Sequence, residues 1–219
     1  MNGQAGGGTI QNLYYYIQER VTTDWTTEPG MAVVLSIITC GIYGLYIFYK
    51  LMERRDTHLA RFANVAYSST GLLREKARAA GREADIAPEL QQLDMIQAQM
   101  NEQGKERGAV LWLVLGILTG IGILIGYYFI MDDMLRHDQL EAQYFTLMSQ
   151  AMLKVGISQQ ASQAMPNIPE RNYVAYLLLS LVTCGIYYFY WEYALIGDGN
   201  IHVESQVQWE DYIYSSLAA

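Results

Sequence analysis

His58, His137 and His202 each stand 17 residues after a glycine, Gly41, Gly120 and Gly185, that lies in the middle of an apolar stretch. A shared offset of this kind makes the chain a threefold internal repeat, so one local unit must fold three times and pack against its own copies. The first and third copies share T-C-G-I-Y, as Thr39 to Tyr43 and Thr183 to Tyr187, whereas the second is degenerate, Leu118-Thr119-Gly120-Ile121-Gly122. A tyrosine ladder accompanies the motif. Tyr43, Tyr46 and Tyr49 match Tyr187, Tyr190 and Tyr193, and the middle copy keeps Tyr128.

The 219 residues are 52% hydrophobic and 16% charged, but that average hides a split into oily and polar segments. Three runs carry no charge: Met31 to Tyr49, Ala109 to Met131 and Asn172 to Trp191. Each holds about 20 residues, which at a rise of about 1.5 Å matches a hydrocarbon core of about 30 Å. Each run is therefore read as one membrane crossing. The expectation is an all-α integral membrane protein with three transmembrane helices in a threefold repeat, plus a cytoplasmic helical hairpin. Its segments are a polar N-terminal part (1–30), a first transmembrane repeat (31–52), the hairpin (53–108), a second transmembrane repeat (109–131), an amphipathic helix and linker (132–171), a third transmembrane repeat (172–196) and a polar tail (197–219).

Charge placement sets the expected orientation. Of 14 basic residues, nine lie in the segment between the first two spans, Arg54, Arg55, Arg61, Arg74, Lys76, Arg78, Arg82, Lys105 and Arg107, and Lys50 stands at its edge. The positive-inside rule puts that segment in the cytoplasm, with Arg20, Arg136, Lys154 and Arg171 outside. Met1 to Gly8 lacks the basic and apolar regions of a signal peptide, so the first run is expected to direct insertion and the glycine-rich head to be mobile. Between the first two runs, one helix continues the first run through Leu59 and Phe62. A second opens at Pro88, with a stripe of Leu90, Leu93, Ile96 and Met100 ending before Gly104. Met131 to Leu153 reads as an amphipathic helix, Gly156 to Pro169 as a linker, and Gly197 to Asn200 as a turn. With a net charge of -8 the chain offers no basic face for a phosphate backbone, so nucleic acid is not an expected partner.

Gly116 and Gly120, then Gly122 and Gly126, form small-xxx-small pairs that place the middle span at the centre of the helix packing, with Gly41 and Gly185 as their counterparts. The tyrosine ladders read as an interfacial aromatic belt, or as a hydroxyl-lined groove for a lipid headgroup or polar ligand. Three histidines at one repeat position invite a metal site, because three imidazoles with a fourth donor suit zinc. Alternate crossings, however, would put His58 and His202 on one side of the membrane and His137 on the other. Convergence requires each repeat to enter and leave on the same face, and half of such a run cannot cross the core. The expectation is no bound metal, no cofactor and no catalytic residue, with the histidines standing where each helix leaves the bilayer. No ionisable group lies deep in a run, which disfavours a pump or coupled transporter.

The phrase Val34 to Tyr46, echoed from Leu178 to Tyr190, resembles a bacterial family of integral membrane proteins classed as domain of unknown function 4234. The resemblance covers the first and third runs and implies a multi-pass protein of the bacterial inner membrane, without an established activity. This chain departs from the family pattern at Tyr188, where the final glycine of the motif is missing. The expected function is a non-enzymatic accessory or scaffold protein that binds a protein partner, or a second copy, through its spans and its helical loop. The alternative is a small channel or carrier for a lipid or neutral solute, and a membrane-embedded metalloenzyme comes third.

Overall fold

The computed structural model describes residues 9–219, which form helices and no strand among the described residues. In chain order these are α1 (Ile10–Gln18), α2 (Arg20–Thr23), α3 (Pro29–Ile38), α4 (Ile42–Ala79), α5 (Ala87–Gln103), α6 (Ala109–Thr119), α7 (Ile121–Lys154), α8 (Tyr173–Val182) and α9 (Ile186–Ala218). The expected mobility of the glycine-rich head falls outside the described residues.

None of the three apolar runs forms a single continuous helix. Each breaks at its midpoint and turns back on itself, so that α3–α4, α6–α7 and α8–α9 are hairpins of a short helix and a long one. No helix of the described residues is long and apolar enough to span a bilayer, which overturns the three transmembrane helices. The T-C-G-I-Y motif is the turn. Cys40 and Gly41 take φ of 51° and 90°, and Cys184 and Gly185 take 50° and 91°, the left-handed region that ends an α-helix. The Gly41 amide donates to Ser36 O and that of Gly185 to Ser180 O, each at 2.8 Å. Thr39 Oγ1 donates to Leu35 O at 2.7 Å and accepts from the Tyr43 amide at 2.9 Å, closing one helix and capping the next. Thr183 repeats both bonds with Leu179 and Tyr187. In the degenerate copy Gly120 alone turns the chain, at φ 70°.

The long helices run parallel. Near their starts the ring of Tyr127 lies 5.6 Å from Phe48 and 5.2 Å from Trp191. Further along, Phe145 lies 5.4 Å from Phe62 and 5.3 Å from Trp209. Contacts at matching distances from Ile42, Ile121 and Ile186 require one direction for all three helices, so the three turns share one end of the molecule. Both arms of every hairpin therefore lead away from that end, the short arm for 10 or 11 residues and the long arm for 33 to 38. The predicted sidedness, with the long loop on one face and Arg136, Lys154 and Arg171 on the opposite one, is lost with the crossings.

Two apolar cores follow from this arrangement. Phe48, Met52, Tyr127, Ile130 and Trp191 fill the one nearer the turns, and Phe62, Leu93, Tyr144, Phe145 and Met148 fill the other. The stripe Leu90, Leu93, Ile96 and Met100 is buried on α5 as its periodicity requires. Yet α5 packs on α7 as well as α4, so residues 53–108 are part of the bundle and not a separate hairpin. The tail is also helical: α9 continues through Gly197 to Asn200, where a turn was expected, and buries Ile213 and Leu217.

The glycines divide by role. Gly41, Gly120 and Gly185 touch nothing within 4 Å of an added Cβ and serve the turns by their positive φ, so they are not packing residues. Gly116 and Gly122 instead face each other inside the second hairpin, where a Cβ on Gly122 would lie 2.4 Å from the Gly116 nitrogen. Gly126 admits the Phe48 ring from α4, at 2.4 Å from the same construction.

Candidate metal centre

Each long helix begins immediately after its turn glycine, so the 17-residue offset delivers His58, His137 and His202 to one level of the bundle. That level is a polar layer between the two apolar cores. The three rings approach in edge-on pairs, with centroids 5.1 Å apart for His58 with His137, 5.1 Å for His58 with His202 and 5.4 Å for His137 with His202. The hairpin geometry is what brings them together, and it corrects the expectation that they lie on opposite sides. Glu141, one helical turn beyond His137, supplies a fourth donor.

Three of the six donor–donor distances match those of a tetrahedral ion. His58 Nε2 lies 3.1 Å from His202 Nε2, His202 Nε2 lies 3.1 Å from Glu141 Oε2, and His137 Nε2 lies 3.3 Å from the same oxygen. One ligand atom from each of the four residues falls within 4.8 Å of every other. Zinc bonds of 2.0–2.1 Å at tetrahedral angles place neighbouring donors about 3.3 Å apart. All four side chains are buried, and His137 Nε2 and Glu141 Oε2 make no hydrogen bond despite their proximity. A buried donor or acceptor left without a partner costs about 1–3 kcal/mol, and an ion between these atoms would satisfy both.

The surroundings select the metal-binding tautomer. His58 Nδ1 bonds Asp24 Oδ1 and His202 Nδ1 bonds Asp138 Oδ1, each at 2.8 Å. A carboxylate accepts only, so both rings carry their proton on Nδ1 and turn an Nε2 lone pair inward, the usual arrangement of a metal-bound imidazole. Asp24 is fixed in turn by Arg61 at 2.9 Å, and Asp138 by the amides of Asn167 and Ile168 at 2.7 and 2.8 Å. Arg61 also bonds Glu210 at 2.7 Å. Asp24, Asp138, Glu141 and Glu210 thus surround the layer against the guanidiniums of Arg61 and Arg20, the latter 3.9 Å from Glu210, and burial raises Glu210 to about 7, so the remaining carboxylates leave negative charge that suits a cation.

Protonation follows the same logic. Burial lowers His58 to about 4 although Asp24 opposes it, and burial lowers His137 against the pull of Glu141. At His202 the effect of burial is outweighed by Glu141 and Asp138, which raise the ring to about 9. Burial would raise Glu141 and Asp24. His202 and His137 hold Glu141 well below the usual carboxylate range, and His58 and Arg61 do the same for Asp24. Two inward lone pairs 3.1 Å apart repel each other, so the layer holds either a proton on His202 or a metal ion.

The outer hairpins are similar to a known family model. Both match the model described as Domain of unknown function (DUF4234). The matched residues are 28–74 and 171–210, which contain His58, His202 and Glu210 but not His137, Asp138 or Glu141. Neither the curated proteins nor the solved structures contain a match to the chain.

The tyrosine ladders lie elsewhere. Tyr43 contacts Tyr46 and Tyr187 contacts Tyr190, at 5.4 and 5.2 Å between centroids, each pair on its own helix. Tyr49 bonds Glu53 at 2.7 Å, and Tyr193 is exposed. A cavity of about 210 Å³ below the turns is lined by Arg54, Met131, Tyr173 and Tyr128, the tyrosine that the middle copy keeps, and by none of the six ladder tyrosines of the outer copies. Sequence reading missed Glu141, Asp24 and Asp138. The spacing His137-x-x-x-Glu141 on one helix face was the available signal for the first, and nothing local marks Asp24.

Proposed function

We propose that the protein is a non-enzymatic, zinc-centred structural protein, in which one ion held by His58, His137, His202 and Glu141 locks the three hairpins into a fixed bundle. The observation that carries this reading is the convergence of four buried donors, one histidine from each hairpin with Glu141, within 4.8 Å of one another, two of which lack a hydrogen bond. Zinc is favoured because three imidazoles and one carboxylate form a borderline-soft set of four. Four protein donors complete a tetrahedral shell and leave no position for a reacting water, which supports a structural role over a catalytic one. Such an ion stabilises folding directly, since the unfolded chain does not present the site.

Elemental analysis of the full chain, purified without a histidine tag in mild detergent, tests the proposal. The expected result is about one zinc per chain, abolished in His137→Ala and Glu141→Ala. Cobalt substituted for zinc is expected to give the intense visible bands of a tetrahedral site. Protein that is folded by circular dichroism, carries no metal and takes up none from added zinc would overturn the reading.

A further inference from the structure

The three turns present an apolar end that the bundle does not cover, and its chemistry identifies what does. Val182 is 80% exposed, Leu118 75% and Ile42 72%, one from each hairpin. The runs that form the hairpins contain no charged residue. Because the long helices are parallel, all three turns face the same way. The short helices α3, α6 and α8 hold 10, 11 and 10 residues. At about 1.5 Å per residue each reaches about 15 Å, half of a hydrocarbon core of about 30 Å.

We infer that the three hairpin tips insert side by side into one leaflet of a lipid bilayer, so that the protein is seated in the membrane from one face without crossing it.

Two further features favour lipid over a protein surface. Backbone groups in hydrocarbon must be satisfied internally, and the turns meet that demand. The amides of Thr39, Cys40, Gly41 and Ile42 all donate within their own turn, as do those of Thr183, Cys184, Gly185 and Ile186. Even the hydroxyls of Thr39, Thr119 and Thr183 donate to the preceding helix. The base of each hairpin also pairs a basic group with an aromatic ring. Lys50 lies over Trp25 at 5.6 Å, Arg107 over Phe129 at 4.0 Å, and Arg171 bonds the Tyr176 hydroxyl at 2.8 Å. Basic groups beside aromatic rings at one level, two of them the amphipathic Trp25 and Tyr176, match a headgroup region. A protein partner would not require three insertions of equal depth.

Cys40 and Cys184 are exposed at two of the tips and provide natural reporters. The full chain, with one cysteine replaced by alanine at a time, would carry a polarity-sensitive fluorophore on the other and be added to vesicles of phosphatidylcholine and phosphatidylglycerol. Both labels are expected to shift to the blue, to resist aqueous iodide, and to be quenched most by lipids whose quencher sits near the end of the acyl chain. Ile42→Asp combined with Ile186→Asp is expected to lower the vesicle-bound fraction about tenfold or more, with helix content and zinc content unchanged. Labels that remain open to iodide on vesicle-bound protein would overturn the inference. So would protein that ignores vesicles and buries its tips in a dimer, detected by light scattering. Loss of zinc would leave these readouts in place, so failure here is distinguishable from failure of the metal reading.

Discussion

His58 and His202 hold their Nε2 atoms 3.1 Å apart although 144 residues separate them, each ring steadied from behind by a carboxylate, Asp24 or Asp138. Neither lone pair can rest there unshared. Proton and metal ion therefore compete for one position, and that competition makes the site testable without knowledge of a partner.

Zinc binding is expected to release about one proton per chain near neutral pH. In the metal-free protein His202 is raised to about 9, above the ordinary value of 6.5. Its proton thus contributes stability that is fully present below 6.5 and is lost as pH rises through 9. Zinc must displace that proton, so its apparent affinity should rise about tenfold per pH unit towards 9 and then level off. His58, lowered to about 4, adds no second proton in this range. Calorimetric titration in buffers of different ionisation heat counts the protons. A count of zero would show that His202 is neutral before the metal arrives.

Asp138→Asn should weaken zinc binding about 10–100-fold while the fold survives. The amide oxygen can still accept from Asn167 and Ile168, which leaves the NH2 group facing His202 Nδ1. A donor there forces the proton of a neutral His202 onto Nε2, the atom that must bind the ion. Competition against a chromophoric chelator measures the loss. Unchanged affinity would mean that Asp138 does not set the tautomer.

Gly126→Ala and Gly41→Ala separate packing from backbone strain. A Cβ at Gly126 would lie 2.4 Å from the Phe48 ring, which is fully buried, so the substitution overpacks the core near the turns and should cost about 1–3 kcal/mol. At Gly41 the same atom meets nothing, and only φ of 90° opposes it, for about 1 kcal/mol. Denaturant midpoints in micelles should rank Gly126→Ala as the more damaging. The reverse order would show that the Phe48 contact yields easily.

Much of this fold was legible before any coordinates. The repeat, the continuation of α4 past the first apolar run, and the α5 stripe from Leu90 to Met100 all follow from spacing. The turn did not, for a physical reason: a 20-residue apolar run fits one full crossing or two half-depth passes equally well, and hydropathy has no term for direction. The deciding information was the Thr-Cys-Gly triplet, where a threonine cap precedes two residues in the left-handed region. Read as chain reversal, it places both ends of each run on one side, and the histidines converge as a consequence. Glu141 lay within reach of helical spacing from His137, whereas Asp24 arrives through tertiary packing alone.

The threonine caps permit a direct test of that reversal. Thr39 and Thr183 each accept from the amide four residues on, Tyr43 or Tyr187, at 2.9 Å, and valine preserves their shape without the oxygen. Loss of an N-cap acceptor costs about 0.5–2 kcal/mol. Each valine should therefore speed hydrogen exchange at its own tyrosine amide about fivefold, the equivalent of about 1 kcal/mol. The two sites lie in different hairpins with no shared hydrogen-bond partner, so the double variant should show both effects undiminished. In a continuous helix the Tyr43 amide would bond the backbone carbonyl of Thr39 instead. Exchange at Tyr43 and Tyr187 that ignores the substitution would restore the unbroken span and remove the geometry on which the zinc site depends.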